Sequence, residues 1–122
     1  GLVLAAVSQA REAMRRAECS SHLRQLTLAT FEYEESFGRF PPGYHGGFES
    51  HLDDKRWAWG TFILPYLDES PLYHELAPEQ RSLFQTVYDG ARNKVLQKSL
   101  KIYRCPSDNS SSRQADRNRD FS

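Results

Sequence analysis

No stretch of this chain is apolar for long enough to cross a membrane. The longest uninterrupted apolar run is Leu2 to Val7, against the roughly 20 residues a spanning helix needs. No signal peptide is legible either, because the amino end lacks a charged leading region and a full apolar core behind it. Cysteine is scarce. Cys19 and Cys105 stand too far apart for a short metal loop or a C-x-x-C redox site, leaving one long-range disulfide or two unrelated thiols. Net charge is zero at neutral pH, and no basic stripe is interleaved with aromatics, which argues against a nucleic-acid partner.

Reactive constellations are equally thin. His22, His45, His51 and His74 are scattered, and none pairs at i, i+4 with a second histidine or cysteine, so no zinc site is expected. His45 and His51 share a run with Glu49, Asp53 and Asp54, which reads as an acidic solvated loop before it reads as a weak cation site. Glu32, Glu34 and Glu35 flank Tyr33 on different helix faces and cannot act as a paired acid and base. Ser20-Ser21-His22 lacks the sharp Gly-rich turn of a nucleophile. The chain reads as non-enzymatic, with no cofactor.

What is present is length for one domain with one core, which buries about two-thirds of its unfolded surface. Aromatics make up 12% of the residues, so Phe, Tyr and Trp must supply much of that burial. The zero net charge hides a segregation. Residues 1–24 carry four Arg and two Glu, residues 25–91 eleven acids and four bases, and residues 92–122 eight bases and three acids. Two readings fit: ends that attract the acidic middle on folding or across a polymer interface, and, more plainly, the solvated faces of ordinary helices.

Residues 3–37 are predicted to form one long helix, rich in Ala and free of Gly and Pro between Leu2 and Gly38. Cys19, Leu23, Leu26, Thr30, Tyr33 and Phe37 recur at spacings of 4, 3, 4, 3 and 4 and predict a covered stripe. Ala6, Ala10, Ala13 and Ala17 are small, so the first half either projects or packs very closely on another helix. The run Gly1 to Val7 leading into Arg11, Arg15 and Arg16 fits two descriptions. It is the end of a membrane helix emerging into solvent, or a first turn whose Leu and Val pack on the core. Gly38 suits the left-handed closing position, and Pro41-Pro42-Gly43 bars continuation.

Tyr44 to Arg56 reads as loop. Residues 58–68 read as a short helix, kinked by Pro65. Ser70-Pro71 reads as a cap opening a turn to Leu76. Pro78 to Tyr88 is predicted as a helix burying Leu83, Phe84 and Val87 and followed by Gly90, with residues 93–98 ambiguous. Leu100 to Arg104 alternates and is the best strand candidate, ending at Cys105-Pro106. Residues 109–122 have almost nothing to bury and read as loop or disordered tail. Tyr44, Trp57 and Trp59 could line a groove for a sugar or peptide, although aromatic core packing is the plainer account. A Cys19–Cys105 disulfide would close a long loop and be worth roughly 4–5 kcal/mol on a chain-entropy treatment. Two distant cysteines in structural settings suit an oxidising compartment.

Four motifs carry a family resemblance. Ala10-Arg11-Glu12-Ala13 with Arg15-Arg16 and Cys19 through Leu26 resembles A-R-E-A-A-R-R-x-x-C-x-N-N-L-K-Q-I. Phe40-Pro41-Pro42-Gly43 matches an F-P-P-G turn. Trp59-Gly60, Leu64-Pro65-Tyr66-Leu67-Asp68 and Pro71-Leu72-Tyr73 resemble W-x-x-x-L-L-P-Y-L-E-Q-x-P-L-Y, and Leu100 to Asp108 resembles L-K-V-F-L-C-P-S-D. In this order they resemble the bacterial domain-of-unknown-function 1559 family, pilin-like proteins with a prepilin-type amino-terminal cleavage and methylation segment. Family members commonly show Pro before Ala-Val-Gln-Ala, where this chain has Ala5-Ala6-Val7-Ser8-Gln9-Ala10. They also continue past the C-P-S-D turn, so the chain is expected to be a soluble fragment or a shortened member.

The resemblance implies an α+β, pilin-like fold: a long amino-terminal helix packed on a small head of short helices and a few short strands. Residues 1–18 would be the end of a stem helix, residues 19–108 a head that includes the second half of the long helix, and residues 109–122 a tail. Ala6, Ala10, Ala13 and Ala17 would pack the stem against other pilin-like subunits, and an absent upstream segment would reach the membrane. A Cys19–Cys105 disulfide would pin the last strand to the helix. The implied role is a structural subunit of a bacterial cell-envelope filament or type II secretion apparatus, extracytoplasmic and without a known small-molecule ligand. The alternative is an extracytoplasmic solute- or glycan-binding module using the Tyr44, Trp57 and Trp59 groove.

Overall fold

A computed structural model describes residues 1–45 and 55–108. Among them the chain is mostly helical, with a long amino-terminal helix and little strand. Helix α1 runs unbroken over Leu2–Phe37, 36 residues and about 54 Å at 1.5 Å per residue. It closes as the sequence requires: Gly38 takes φ +69° and donates its N–H to the Glu34 carbonyl at 2.7 Å, a left-handed cap open to glycine without a Cβ penalty.

The chain divides into two compact units, Gln25–Lys98 and Gly1–Arg24 with the segment from Ser99 onward. In the first of these, β1 (Tyr44–His45) pairs antiparallel with β2 (Trp57–Ala58), Tyr44 opposite Ala58 and His45 opposite Trp57. Helix α2 (Trp59–Phe62) and a 3-10 turn over Leu64–Leu67 follow. Pro65 lies at the start of that turn, so the expected kinked helix over 58–68 is two short pieces joined at Ile63. Helices α3 (Ser70–Leu76), α4 (Leu83–Tyr88) and α5 (Gly90–Leu96) complete the unit, with α3 packed on both the 3-10 turn and α5. Ala29, Tyr33 and Ile63 form the core cluster, with Leu26, Phe62, Tyr66 and Leu67 against it. Leu64, Leu72, Leu76 and Trp57 are also buried.

Three expectations are corrected here. Pro78 to Tyr88 is not one helix: Ala77 takes φ +48°, Gln80 and Arg81 both donate to the Ala77 carbonyl, and the helix starts only after Ser82. Ser82 accepts from the Gln85 N–H while the Gln85 side chain accepts from the Ser82 N–H, a complete capping box. Phe84 and Val87 are exposed, and the buried residue of α4 is Thr86, whose hydroxyl donates to the Ser82 carbonyl at 3.1 Å. Gly90 does not follow the end of a helix; it opens α5, capped by Asp89, which accepts from the Ala91 and Arg92 N–H groups.

In the second unit, residues 100–104 form no strand. Lys101–Tyr103 is a 3-10 turn, closed by bonds from Tyr103 to the Leu100 carbonyl and from Arg104 to the Lys101 carbonyl. A strand needs a neighbour to satisfy its ladder, and none stands beside this segment among the described residues. The first turns of α1 do not pack on a core: Leu2, Val3 and Leu4 are 91%, 76% and 76% exposed. No helix among the described residues is long and apolar enough to cross a membrane.

The covered stripe of α1 is displaced from the expected one. Leu23 is 61% and Phe37 58% exposed, whereas His22 and Ala29 are covered. Cys19, His22, Leu26, Ala29 and Tyr33 follow a 3, 4, 3, 4 spacing, a helical stripe that trades two large apolar residues for a hydrogen-bonding one and a small one.

Candidate functional site

Tyr44, Trp57 and Trp59 do not all face solvent. The Trp57 side chain is buried, and its indole Nε1–H donates to the Arg81 carbonyl at 2.8 Å, the usual satisfaction of a buried indole. Its neighbour Lys55 accepts the Leu83 N–H at 2.8 Å through its carbonyl, so this strand is tied to the start of α4. Tyr44 and Trp59 are half-exposed, and the Trp59 N–H donates to the Gly43 carbonyl. The acidic run around His51 lies outside the described residues, as does the expected tail over residues 109–122.

The same unit contains a different aromatic concavity, a cleft of about 320 Å³. It is built from the last turns of α1, the chain just beyond it, the 3-10 turn and α3. Tyr33 forms its base, with the Phe37 ring one turn on at a centroid distance of 4.5 Å and the Tyr66 ring edge-on at 6.3 Å. Tyr73 forms a wall and donates its hydroxyl to Glu79 Oε1 at 3.0 Å. Burial, followed by that bond to a carboxylate, pushes the Tyr73 hydroxyl up to about 12. The Lys55 ammonium donates to the Glu79 backbone carbonyl, and Arg39 stands at the rim.

In the other unit, Cys19 and Cys105 form a disulfide with Cα atoms 4.9 Å apart. His22 sits one turn along α1 from Cys19, and its Nδ1–H donates to the Arg104 carbonyl at 3.0 Å, while Nε2 lies 3.9 Å from a Glu18 oxygen. The turn after Cys105 is closed by the Asp108 N–H on the Cys105 carbonyl at 2.9 Å, and Arg104 Nη2 donates to the Asp108 carbonyl. Disulfide, ring bond and turn together fasten the 3-10 segment to the helix.

Ala6, Ala10, Ala13 and Ala17 are all exposed. At about 100° per residue they fall on one face, roughly opposite Cys19. Two carboxyls depart from the usual carboxylate range, and arginine is central to both. The hydrogen bond from the Arg15 side chain holds Glu12 low, with Arg16 adding to it. The Arg92 backbone N–H holds Asp89 low, helped by the Ala91 N–H and the Arg92 guanidinium. These are structural ion pairs, not a poised acid and base. Among the described residues no group of three His, Cys, Asp or Glu side chains could hold a metal ion.

Sequence reasoning missed the Tyr33, Tyr66 and Tyr73 cleft. One signal was available, the i, i+4 pair Tyr33 and Phe37; the other two tyrosines meet them only through the fold. Residues 8–122 match the family described as "SBP_bac_10: Protein of unknown function (DUF1559)". The chain belongs to this family. No curated protein matches the chain, and no solved structure matches it.

Proposed function

We propose that this protein is a non-enzymatic, pilin-like or pseudopilin-like structural subunit of a bacterial cell-envelope filament or secretion apparatus, with an extracytoplasmic α+β head. The observation that carries this reading is the first half of α1. An unbroken helix presents Leu2, Val3, Leu4 and the Ala6, Ala10, Ala13 and Ala17 face to solvent, and small side chains there let a second helix approach closely. Burying Leu2, Val3 and Leu4 against a neighbour would contribute about 1.5–3 kcal/mol for each side chain fully covered. A disulfide across 86 residues supports placement outside the cytoplasm.

The partners on this reading are other subunits of the same kind, through the stem face, and the membrane, through sequence upstream. The test is to raise antibodies against the chain, fractionate cells expressing the full gene product, and label the surface for electron microscopy. Recovery in the envelope, with label on sheared filaments or on a secretion assembly, is expected. Recovery in the cytosol with both thiols reduced would contradict the reading.

A further inference from the structure

The cleft of Tyr33, Phe37, Tyr66 and Tyr73 has features that the stem does not explain. At about 320 Å³ it reaches the size of small-ligand sites. Its apolar lining is made of aromatic rings and prolines, without any Leu, Ile or Val. Flat faces of this kind suit a flat-sided ring and offer no notch for a branched side chain. The tyrosine rings also carry polar hydroxyl edges, that of Tyr73 already held by Glu79, so the lining suits an amphipathic occupant over a wholly apolar one.

The rim selects charge. Arg39 makes no ion pair among the described residues, and Lys55 spends its hydrogen bond on a backbone carbonyl. The cleft's one carboxylate, Glu79, is engaged by the Tyr73 hydroxyl. Among the described lining residues two cations stand against one carboxylate, a balance that disfavours a quaternary ammonium or other cation that a bare aromatic cage would attract.

We propose that this cleft is a binding site for an acidic saccharide, in which a uronic-acid ring lies against Phe37 and Tyr66 and its carboxylate meets Arg39 and Lys55. The site lies within residues 25–98 and the stem face within residues 2–17, so either proposal can fail without the other. Tyr73 stays neutral to high pH and remains a donor to Glu79 Oε1.

The experiment is calorimetric titration of the full chain with trigalacturonate, with galactotriose as the uncharged match and a proline-rich peptide as a third probe. A dissociation constant of about 0.1–1 mM for the uronate is expected, with galactotriose about tenfold weaker and binding falling as salt rises. Arg39→Ala is expected to weaken the uronate about tenfold and Phe37→Ala about fivefold. Both positions are exposed, and an unchanged thermal unfolding curve certifies the fold of each variant. No uronate binding by the unmodified chain, equal binding of the uncharged sugar, or full affinity in both variants would overturn the proposal. Preference for the peptide would overturn it in favour of a protein partner.

Discussion

Replacing Cys19 and Cys105 together with alanine removes the covalent tie between α1 and the segment beyond Ser99. With the two cysteines 86 positions apart, the bond denies the unfolded chain about 15 cal/mol/K on the chain-entropy relation, or about 4–5 kcal/mol at 25 °C. A domain of this size is stable by about 5–15 kcal/mol in all, so the double variant should sit near the edge of folding. At about 3–5 °C per kcal/mol for this length, its midpoint should fall by roughly 15–20 °C. Urea unfolding followed by far-ultraviolet circular dichroism reads the difference. Among the contacts that remain without the bond are the His22 ring on the Arg104 carbonyl and the closing bonds of the 3-10 turn. Each hydrogen bond contributes only about 1 kcal/mol net, so amide exchange at Arg104 and Asp108 should accelerate before global unfolding. A stability change below about 1 kcal/mol would refute the reasoning, as would two free thiols in protein taken from an oxidising compartment.

Ile63→Ala should destabilise by about 3–4 kcal/mol, because Ile63 is fully buried in the core cluster with Ala29 and Tyr33; chemical denaturation measures this. Ser82→Ala removes the hydroxyl that accepts the Gln85 N–H, one half of the capping box that starts α4, and should cost about 1 kcal/mol in the same assay, while Phe84→Ala at an exposed position should cost far less. Ultraviolet titration should show Tyr73 ionising near 12, and Glu79→Gln should bring it down. Because its folded value lies above the ordinary tyrosine value of about 10, the stability it contributes is present below pH 10 and is lost as pH rises towards 12. Asp89 runs the opposite way: held low by the Arg92 and Ala91 N–H groups, it contributes above the ordinary carboxylate range, and the contribution disappears as pH falls through its lowered value.

The long helix and its end were readable because they rest on local chemistry, alanine propensity over α1 and the freedom of Gly38 to take a positive φ. Its covered face was read one position out. Hydropathy favours Leu23 over His22, but His22 can satisfy the Arg104 carbonyl, a bond that depends on chain 82 residues away. Alternation at Leu100 and Ile102 suggested a strand, yet alternation records only which sides are apolar; without a neighbouring strand the segment closes its own bonds as a 3-10 turn. The break before α4 was legible in retrospect, since Ser82 and Gln85 are a local capping box preceded by a proline-containing turn. With only two cysteines the choice lay between one long-range disulfide and two unrelated thiols, and the fold holds the Cys19–Cys105 disulfide. The aromatic cleft was not legible: Trp57 outranks Tyr73 as a ligand platform by composition, and only the fold buries the first and exposes the second to a concavity.

Helix-to-helix packing of the Ala6, Ala10, Ala13 and Ala17 face of α1 on a second copy is the contact on which the proposed structural role rests. Single cysteines introduced at Ala10 or Ala13 in the full gene product, oxidised in intact cells, test it directly. A ladder of disulfide-linked multimers is expected from those two positions and none from Ser8→Cys, which points to the opposite side of the helix. Monomer alone from Ala10 and Ala13, or an equal ladder from Ser8, would contradict it.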